Sequence, residues 1–280
     1  MTFDFDWRVL RRPFYALGLG LVLLHLLLAL GAPLISPFDP LELVGGRAQS
    51  PDLQFWLGTD VLGRDYLSRL LHGGRVALLV AFTGVLLSVF LGSLLGALCA
   101  YVRGPLDQLV MRIVDVKLAL PGILFIALFV TGFGESIPVL VVLVGLVYMP
   151  GVIRIVRAVA ITQVSLDYVR AAQLRGERMP SIIWREVYPN LLDIILVEFA
   201  IRMSSAVLLL SSMSFLGLGI SPPTPDWGLM VSEGVGQMSF APWLVLAPSL
   251  FISTLVLGLN FAAEALANAL GVDAARGNLG

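Results

Sequence analysis

Ionisable side chains are scarce in the apolar segments of this chain. Two of them are spaced so that they could contact each other on a helix. Glu198 and Arg202 lie four residues apart in an apolar run, so their side chains meet on one face of a helix. An ionisable group inside a membrane-spanning helix is costly and is by default a candidate for function. Two interpretations fit the spacing: an ion pair that neutralises itself, or a charged contact for a molecule crossing the membrane.

Hydroxyl groups follow on the same run. Serine hydroxyls both donate and accept hydrogen bonds, so they can solvate a peptide backbone or pack against a neighbouring helix. Together with the charged pair, they form the candidate translocation path: Glu198, Arg202, Ser204, Ser205 and Ser211.

Patterns for metal binding and catalysis are missing from the sequence. The single Cys99 excludes an intramolecular disulfide and a CxxC site, and His25 and His72 have no partner at ligand spacing. Neither HExxH nor the phosphate-binding GxxxxGK[ST] occurs, and no acids or histidines form a proton or sodium relay. The sequence therefore predicts no metal site, no cofactor in this chain and no enzyme activity.

The whole chain is strongly apolar. Hydrophobic residues make up 58% and charged residues 13% of its 280 residues, far from the roughly one-quarter charged that is typical of soluble proteins. Six apolar runs are long enough to predict membrane-spanning helices, and the first should stay attached because it lacks a cleavage site. They cover about 14 to 34, 76 to 102, 111 to 131, 137 to 155, 191 to 210 and 243 to 267.

Small residues recur at every fourth position of the second run. This spacing predicts a helix face that packs closely against another helix. The residues are Gly84, Ser88, Gly92, Gly96 and Ala100. Before this run, residues 36 to 75 are polar and rich in turns, and residues 62 to 71 predict an amphipathic helix at the membrane interface, with Asp60 as its cap.

The longest polar interruption in the C-terminal half spans residues 167 to 190. Its pattern predicts a helix, a bend at Gly176, a second helix and a stop at Pro189. The adjacent Ala171 and Ala172 would let another protein approach closely, so the stretch is a predicted docking element. Charge counting places it in the cytoplasm, with both termini, because twelve arginines then lie inside and only Arg47, Arg64, Arg69 and Arg75 lie outside.

Five segments resemble the C-type permease subunit of dipeptide/oligopeptide ATP-binding-cassette (ABC) importers. Four read GTDVLGRDYLSRLLHGGRVALL (58 to 79), MRIVDVKLALPG (111 to 122), YVRAAQLRGERMPSIIWREVYPN (168 to 190) and SFLGLGISPPTPDWGLM (214 to 230), and the fifth surrounds Asn260. The third resembles the cytoplasmic EAA loop of import permeases: Ala172, Gly176 and Pro189 match its spacing, although its leading Glu is Arg170 here.

The resemblance implies an all-α integral membrane protein of six transmembrane helices with a MetI-like type I importer core. Residues 1 to 75 would hold the cytoplasmic N-terminus, the first helix and an extracytoplasmic segment. Residues 76 to 280 would form the five-helix core, with the cytoplasmic coupling loop at 157 to 190. Residues implied in coupling to the ATPases are Tyr168, Arg170, Ala171, Ala172, Arg175, Gly176 and Pro189.

The resemblance also implies the assembly. The chain would be a non-catalytic subunit in the cell (inner) membrane that imports di- or oligopeptides. Its partners would be a homologous permease in a heterodimer, two cytoplasmic ATPases that bind ATP and Mg, and an extracytoplasmic binding protein that delivers the peptide. No nucleic acid is involved.

Two alternatives remain at this stage. The same architecture serves permeases for nickel chelates or other small solutes. A secondary transporter working alone would need ionisable groups at the membrane midplane and usually an internal repeat, and the sequence shows neither.

Overall fold

The computed structural model describes residues 12 to 272, and this part of the chain is helical. No strand forms within it; two isolated bridges, Leu43 with Arg64 and Thr59 with Asp65, lie between the first two helices. The predicted all-α class is confirmed. The helices are α1 (Pro13–Ile35), α2 (Tyr66–Val102), α3 (Gly104–Ala119), α4 (Gly122–Phe133), α5 (Ile137–Val164), α6 (Asp167–Leu174), α7 (Met179–Ile182), α8 (Leu192–Phe215), α9 (Trp227–Val235) and α10 (Trp243–Ala269).

Five helical segments are long and apolar enough to cross a membrane: α1, α2, α5, α10 and the run Met179–Phe215 that contains α8. The sixth candidate is the pair α3 and α4, whose axes bend by 92° at a short break. Leu120 is extended there because it precedes Pro121, which disfavours the helical conformation in the preceding residue. The predicted third span is therefore a broken helix pair, and the count reaches six when the pair is one span.

The second span begins earlier than the sequence predicted. Helix α2 starts at Tyr66 and runs without a break to Val102, so the separate interfacial helix predicted over residues 62 to 71 is wrong. Its first turns are buried by the preceding segment, by α9 and by α10: Phe38 N–H donates to Ser68 Oγ, Trp227 packs on Gly73, and Tyr66 Oη donates to a carbonyl oxygen of α10. The cap is Asp65, which accepts a hydrogen bond from the Ser68 amide, and not Asp60. A boundary at residue 75 would fall inside this helix.

The small-residue stripe of α2 faces α5 of the same chain. A Cβ built on Gly84 would lie 2.7 Å from a Val144 methyl, and one built on Gly96 would lie 2.9 Å from the Ile153 carbonyl oxygen. Ser88 and Ala100 are fully buried. Helices α2 and α5 thus form the closest-packed pair of the core, and the stripe is not a surface left open for a second permease.

Two ion pairs hold α3 against α5. The Arg157 guanidinium donates from Nε and Nη2 to the two carboxylate oxygens of Asp107, each at 2.5 Å. Arg154 donates to Asp115 at 2.5 Å, but both side chains are more than half exposed, so this pair contributes little stability. The bidentate pair lies two turns before the end of α5 and fixes the end of the helix from which the polar stretch leaves.

Candidate coupling surface and translocation path

The stretch from 167 to 190 forms the predicted helix, bend and helix. Helix α6 ends at Leu174, and Gly176 then adopts φ of +75°, a conformation that glycine reaches without the penalty of a Cβ. Nothing lies within 4 Å of where its Cβ would be. Leu174, just before the bend, is 90% exposed, and Trp184, after it, is 56% exposed. Exposed apolar side chains beside a tight turn indicate a surface that another protein covers.

The two alanines of α6 lie in different surroundings. Ala171 is exposed, whereas Ala172 is fully buried with Val169 in the core of this chain. The prediction that both alanines face another protein is therefore wrong for Ala172. Residues adjacent on a helix differ by about 100° in direction, so a buried face at Val169 and Ala172 leaves Ala171 on the outside.

Pro189 does not end the second helix. The chain passes from α7 through a π-helical turn, Ile183–Val187, and a 3₁₀ turn, Tyr188–Leu191, directly into α8. Pro189 lies in the first turn of the 3₁₀ segment, where its missing N–H breaks no bond. The predicted stop is wrong: the part of the polar stretch after the Gly176 bend, from Met179, and α8 form one helical run that ends at Phe215.

Tyrosine hydroxyls fasten this unit to the core. Tyr188 Oη lies 2.9 Å from Ser93 Oγ of α2, and Tyr168 Oη donates to Gln163 Oε1 of α5 at 3.0 Å. Asn190 donates back to Tyr168 Oη at 3.3 Å. These hydrogen bonds tie the stretch to both α2 and α5.

Two of the four arginines of the stretch form ion pairs at the surface. Arg175 donates to Glu177 at 2.7 Å, and Arg170 lies 3.6 Å from Asp167. All four side chains are solvated to different degrees, and exposed ion pairs contribute little stability.

Glu198 and Arg202 form the ion pair that their spacing predicted. Arg202 Nη2 lies 2.9 Å and Nε 3.2 Å from Glu198 Oε2, and the Glu198 side chain is buried. The guanidinium lies over the backbone of α5 at Gly151, where a Cβ would come within 3.0 Å of Nη2. This geometry is that of a self-neutralised pair packed between α8 and α5.

The three candidate serines of α8 differ in their hydrogen bonds. Ser204 donates to Ile201 O at 3.1 Å and lies 3.0 Å from Asn260 Oδ1 of α10, so it serves a contact between helices. Ser205 lies 3.4 Å from the Ile201 carbonyl oxygen on its own helix. Ser211 Oγ is buried and has no hydrogen-bond partner among the described residues.

Residues 88–272 match the family described as binding-protein-dependent transport system inner membrane component. The chain belongs to this family. It is 37% identical over 265 residues to the di/tripeptide transport system permease protein of Pseudomonas aeruginosa, which covers 90% of this chain and 86% of the relative. The dipeptide transport system permease protein of Haemophilus influenzae is 34% identical, over 91% of this chain and 88% of the relative. The glutathione transport system permease protein of Pectobacterium atrosepticum is 35% identical, over 94% of this chain and 89% of the relative.

This multi-pass membrane permease also contains a buried charge cluster that sequence reasoning missed. Asp60 Oδ2 lies 2.6 Å from Arg64 Nε and 3.3 Å from Arg69 Nε. Arg69, which is fully buried, also contacts Glu233 of α9 at 3.1 Å. The four-residue spacing of Asp60 and Arg64 could have indicated their ion pair. The pair of Arg69 and Glu233 could not be predicted from local sequence, because the two residues are 164 positions apart. The cluster joins the segment before α2 to α9.

Trp227 is the second anchor of this end of the permease. Its Nε1 donates to the Leu70 carbonyl oxygen at 2.7 Å, and its ring packs on Gly73 and Gly74 of α2. The preceding Asp226 caps α9, accepting from the amides of Gly228 at 3.0 Å and Leu229 at 3.2 Å. Its other carboxylate oxygen, Oδ2, is buried without a partner in the described part of the chain.

We expect the stability of the permease to depend on the protonation of Asp226. Burial raises the pKa of this carboxyl from 3.8 to about 6. The folded state therefore binds the proton more tightly than the unfolded state, and stability rises as the pH falls through about 6 and levels off below 3.8. A shift of about two pKa units corresponds to at most about 3 kcal/mol.

Thermal unfolding of the purified permease at pH 5 and pH 8 tests this expectation. The midpoint should be higher at pH 5, and the difference should shrink in Asp226→Asn, which keeps the capping oxygen but cannot ionise. Other groups titrate in both proteins. The contribution of Asp226 is therefore the change in midpoint between pH 8 and pH 5 in the wild type minus the same change in Asp226→Asn. Equal pH dependence in the two proteins would contradict the assignment.

Proposed function

We propose that this chain is the permease subunit of an ABC importer that carries di- or oligopeptides across the cytoplasmic membrane. Family membership supports the transport role. The names of the similar relatives, which transport dipeptides, di/tripeptides or glutathione, support peptides as the cargo over a nickel chelate or another small solute.

The observation that carries the proposal is that the second half of the polar stretch, from Met179, runs without a break into α8, the helix that holds the candidate path residues. The exposed Ala171 and Leu174 of α6, together with the positive-φ Gly176, form the contact surface that precedes this run, and Asn190 ties α6 to it through Tyr168 Oη. Packed elements of a protein pass a displacement from one to the next. We propose that the displacement comes from ATPase subunits bound at this surface.

The partners in this proposal are a homologous permease, two cytoplasmic ATPases and an extracytoplasmic binding protein. ATP and Mg would be bound by the ATPases, and this chain would hold no cofactor. The open faces of α3 and α4 are available to the second permease, because Ile113, Val116, Leu124 and Leu128 are exposed there. The small-residue stripe of α2 is not, since α5 covers it.

Reconstitution tests the function. The chain is co-expressed with a homologous permease, two ATPases and a binding protein, and the complex is placed in proteoliposomes with labelled dialanine. We expect uptake that needs ATP, the binding protein and both permeases. Uptake of dialanine by this chain alone, or ATP-driven uptake of a nickel chelate but not of peptide, would contradict the proposal.

Cysteine labelling tests the proposed orientation, in which residues 36 to 65 lie outside the cell and 167 to 190 inside. Residues Arg8, Arg11 and Arg276, on which the charge count partly depends, lie outside the described residues. Ser50→Cys and Gln173→Cys are made separately in a Cys99→Ala background; both positions are exposed and Cys99 is buried. A membrane-impermeant maleimide should label position 50 in intact cells and position 173 only after permeabilisation. The reverse pattern would invert the topology.

A further inference from the structure

A cleft of about 390 Å³ opens between α8, α9 and α10, and four serines converge on it. This volume is within the range of small-ligand sites and holds roughly one or two amino-acid residues. Its lining combines Ser211, Ser212, Ser249 and Ser253 with apolar side chains such as Leu208 and Ile252. We infer that this cleft is a peptide-binding subsite of the permease, one that takes an uncharged residue and its backbone amides. The inference rests on the proposed peptide transport.

The hydroxyl groups in the cleft have unused hydrogen-bonding capacity. Ser211 is 6% exposed and its Oγ has no partner among residues 12 to 272. The hydroxyls of Ser249 and Ser253 form no hydrogen bond with the described residues either. Ser212 donates to the Leu208 carbonyl oxygen at 2.8 Å, which leaves it as an acceptor. A buried hydroxyl without a partner is costly, so the site is suited to a molecule that supplies donors and acceptors.

The chemistry of the lining selects the class of that molecule. Within residues 12 to 272, no ionisable side chain lines the cleft, and the serines alternate with aliphatic and aromatic side chains. An amide group with a small or apolar side chain matches hydroxyls and apolar walls together, and the charged ends of a short peptide would lie at the open mouth of the cleft, in contact with water. A lipid chain would fill the apolar part but leave the Ser211 hydroxyl without a partner.

The floor of the cleft is rigid. A Cβ on Gly228 would lie 2.1 Å from the Ser211 carbonyl oxygen, so α9 begins directly against the backbone of α8. Asp226 caps α9, and Trp227 fastens it to α2. A preformed floor lowers the entropic cost of binding. Because α8 continues from the polar stretch, a displacement of that stretch would alter the cleft.

Two variants in the reconstituted complex test the subsite. Ser253 is exposed at the mouth of the cleft, and Ser253→Trp should block it without disturbing the core. The matched control is Leu250→Trp, on the same helix, 61% exposed and outside the cleft lining. We expect dialanine uptake to fall about tenfold or more in Ser253→Trp and to stay near wild type in Leu250→Trp, with both variants assembled with the partner subunits at wild-type yield.

Ser211→Ala supplies the second measurement. If the hydroxyl bonds the peptide, its removal should raise the KM for dialanine about three- to tenfold, the effect of one lost hydrogen bond. A diazirine-bearing alanine dipeptide analogue should cross-link to α8, α9 or α10, and Ser253→Trp should prevent this. Unchanged KM and uptake in both variants, or cross-linking there by a diazirine phospholipid and not by the peptide, would overturn the subsite. Failure of the wild-type complex to import any peptide would instead overturn the proposed function.

Discussion

Ala171→Arg should abolish ATP-driven uptake by the assembled importer, with a loss of about 100-fold or more, while the permease itself stays folded and inserted. Ala171 is exposed in the middle of α6 and its side chain has no role in the core. An arginine there would hold an ATPase surface several ångströms away, and a contact that transmits motion must be close-packed. The measurements are uptake and ATPase stimulation by the loaded binding protein in proteoliposomes.

The neighbouring alanine provides the contrast. Ala172 is fully buried, so Ala172→Arg places a charge in the core and should lower the amount of folded permease. Two substitutions at Gly176 should differ in severity. Gly176→Leu opposes the positive φ at a cost of about 1 kcal/mol or more, whereas asparagine in Gly176→Asn adopts a positive φ more readily. Assembly with the ATPases and wild-type uptake in both Ala171→Arg and Gly176→Leu would show that the stretch is only a loop.

Gly92→Leu should have the largest effect on folding. A Cβ at Gly92 would lie 2.9 Å from Val152 Cβ and 3.2 Å from the Met149 carbonyl oxygen, so a leucine must push α2 away from α5. Overpacking by a few methylenes costs about 1 to 3 kcal/mol, and here the obstacle is backbone as well as side chain. We expect most of the variant to be lost from the monodisperse, detergent-purified fraction.

The control is Gly20→Leu in α1, where nothing lies within 4 Å of the added Cβ. It adds the same apolar group to a membrane helix and should leave yield and thermal midpoint near wild type. A stable Gly92→Leu protein with an unchanged midpoint would mean that α2 and α5 do not pack as described.

Several features of this protein could be predicted from the sequence because their causes are local. Apolar runs of about 20 residues predict membrane helices, since backbone groups in lipid must bond within their own segment. A small residue at every fourth position predicts a close helix contact, and the spacing of Glu198 and Arg202 predicts their ion pair, which the structure contains. The five family-like segments indicated the transport family that the comparisons confirmed.

Other features depend on what each helix packs against. The periodicity of α2 could not say whether its partner was α5 or another subunit, and composition could not show that Ala172 turns inward while Ala171 turns outward. Pro189 predicted a stop, but a π turn followed by a 3₁₀ turn places it where no N–H is needed and leads on into α8.

Only the tertiary structure brought together groups far apart in the chain. Arg69 meets Glu233, Trp227 meets Leu70, and serines of α8 and α10 line one cleft. The sequence pattern determines which side chains share a face of a helix, because helical periodicity is local. Which other helix that face contacts depends on the packing of all the helices, and therefore on shape and charge over the whole fold.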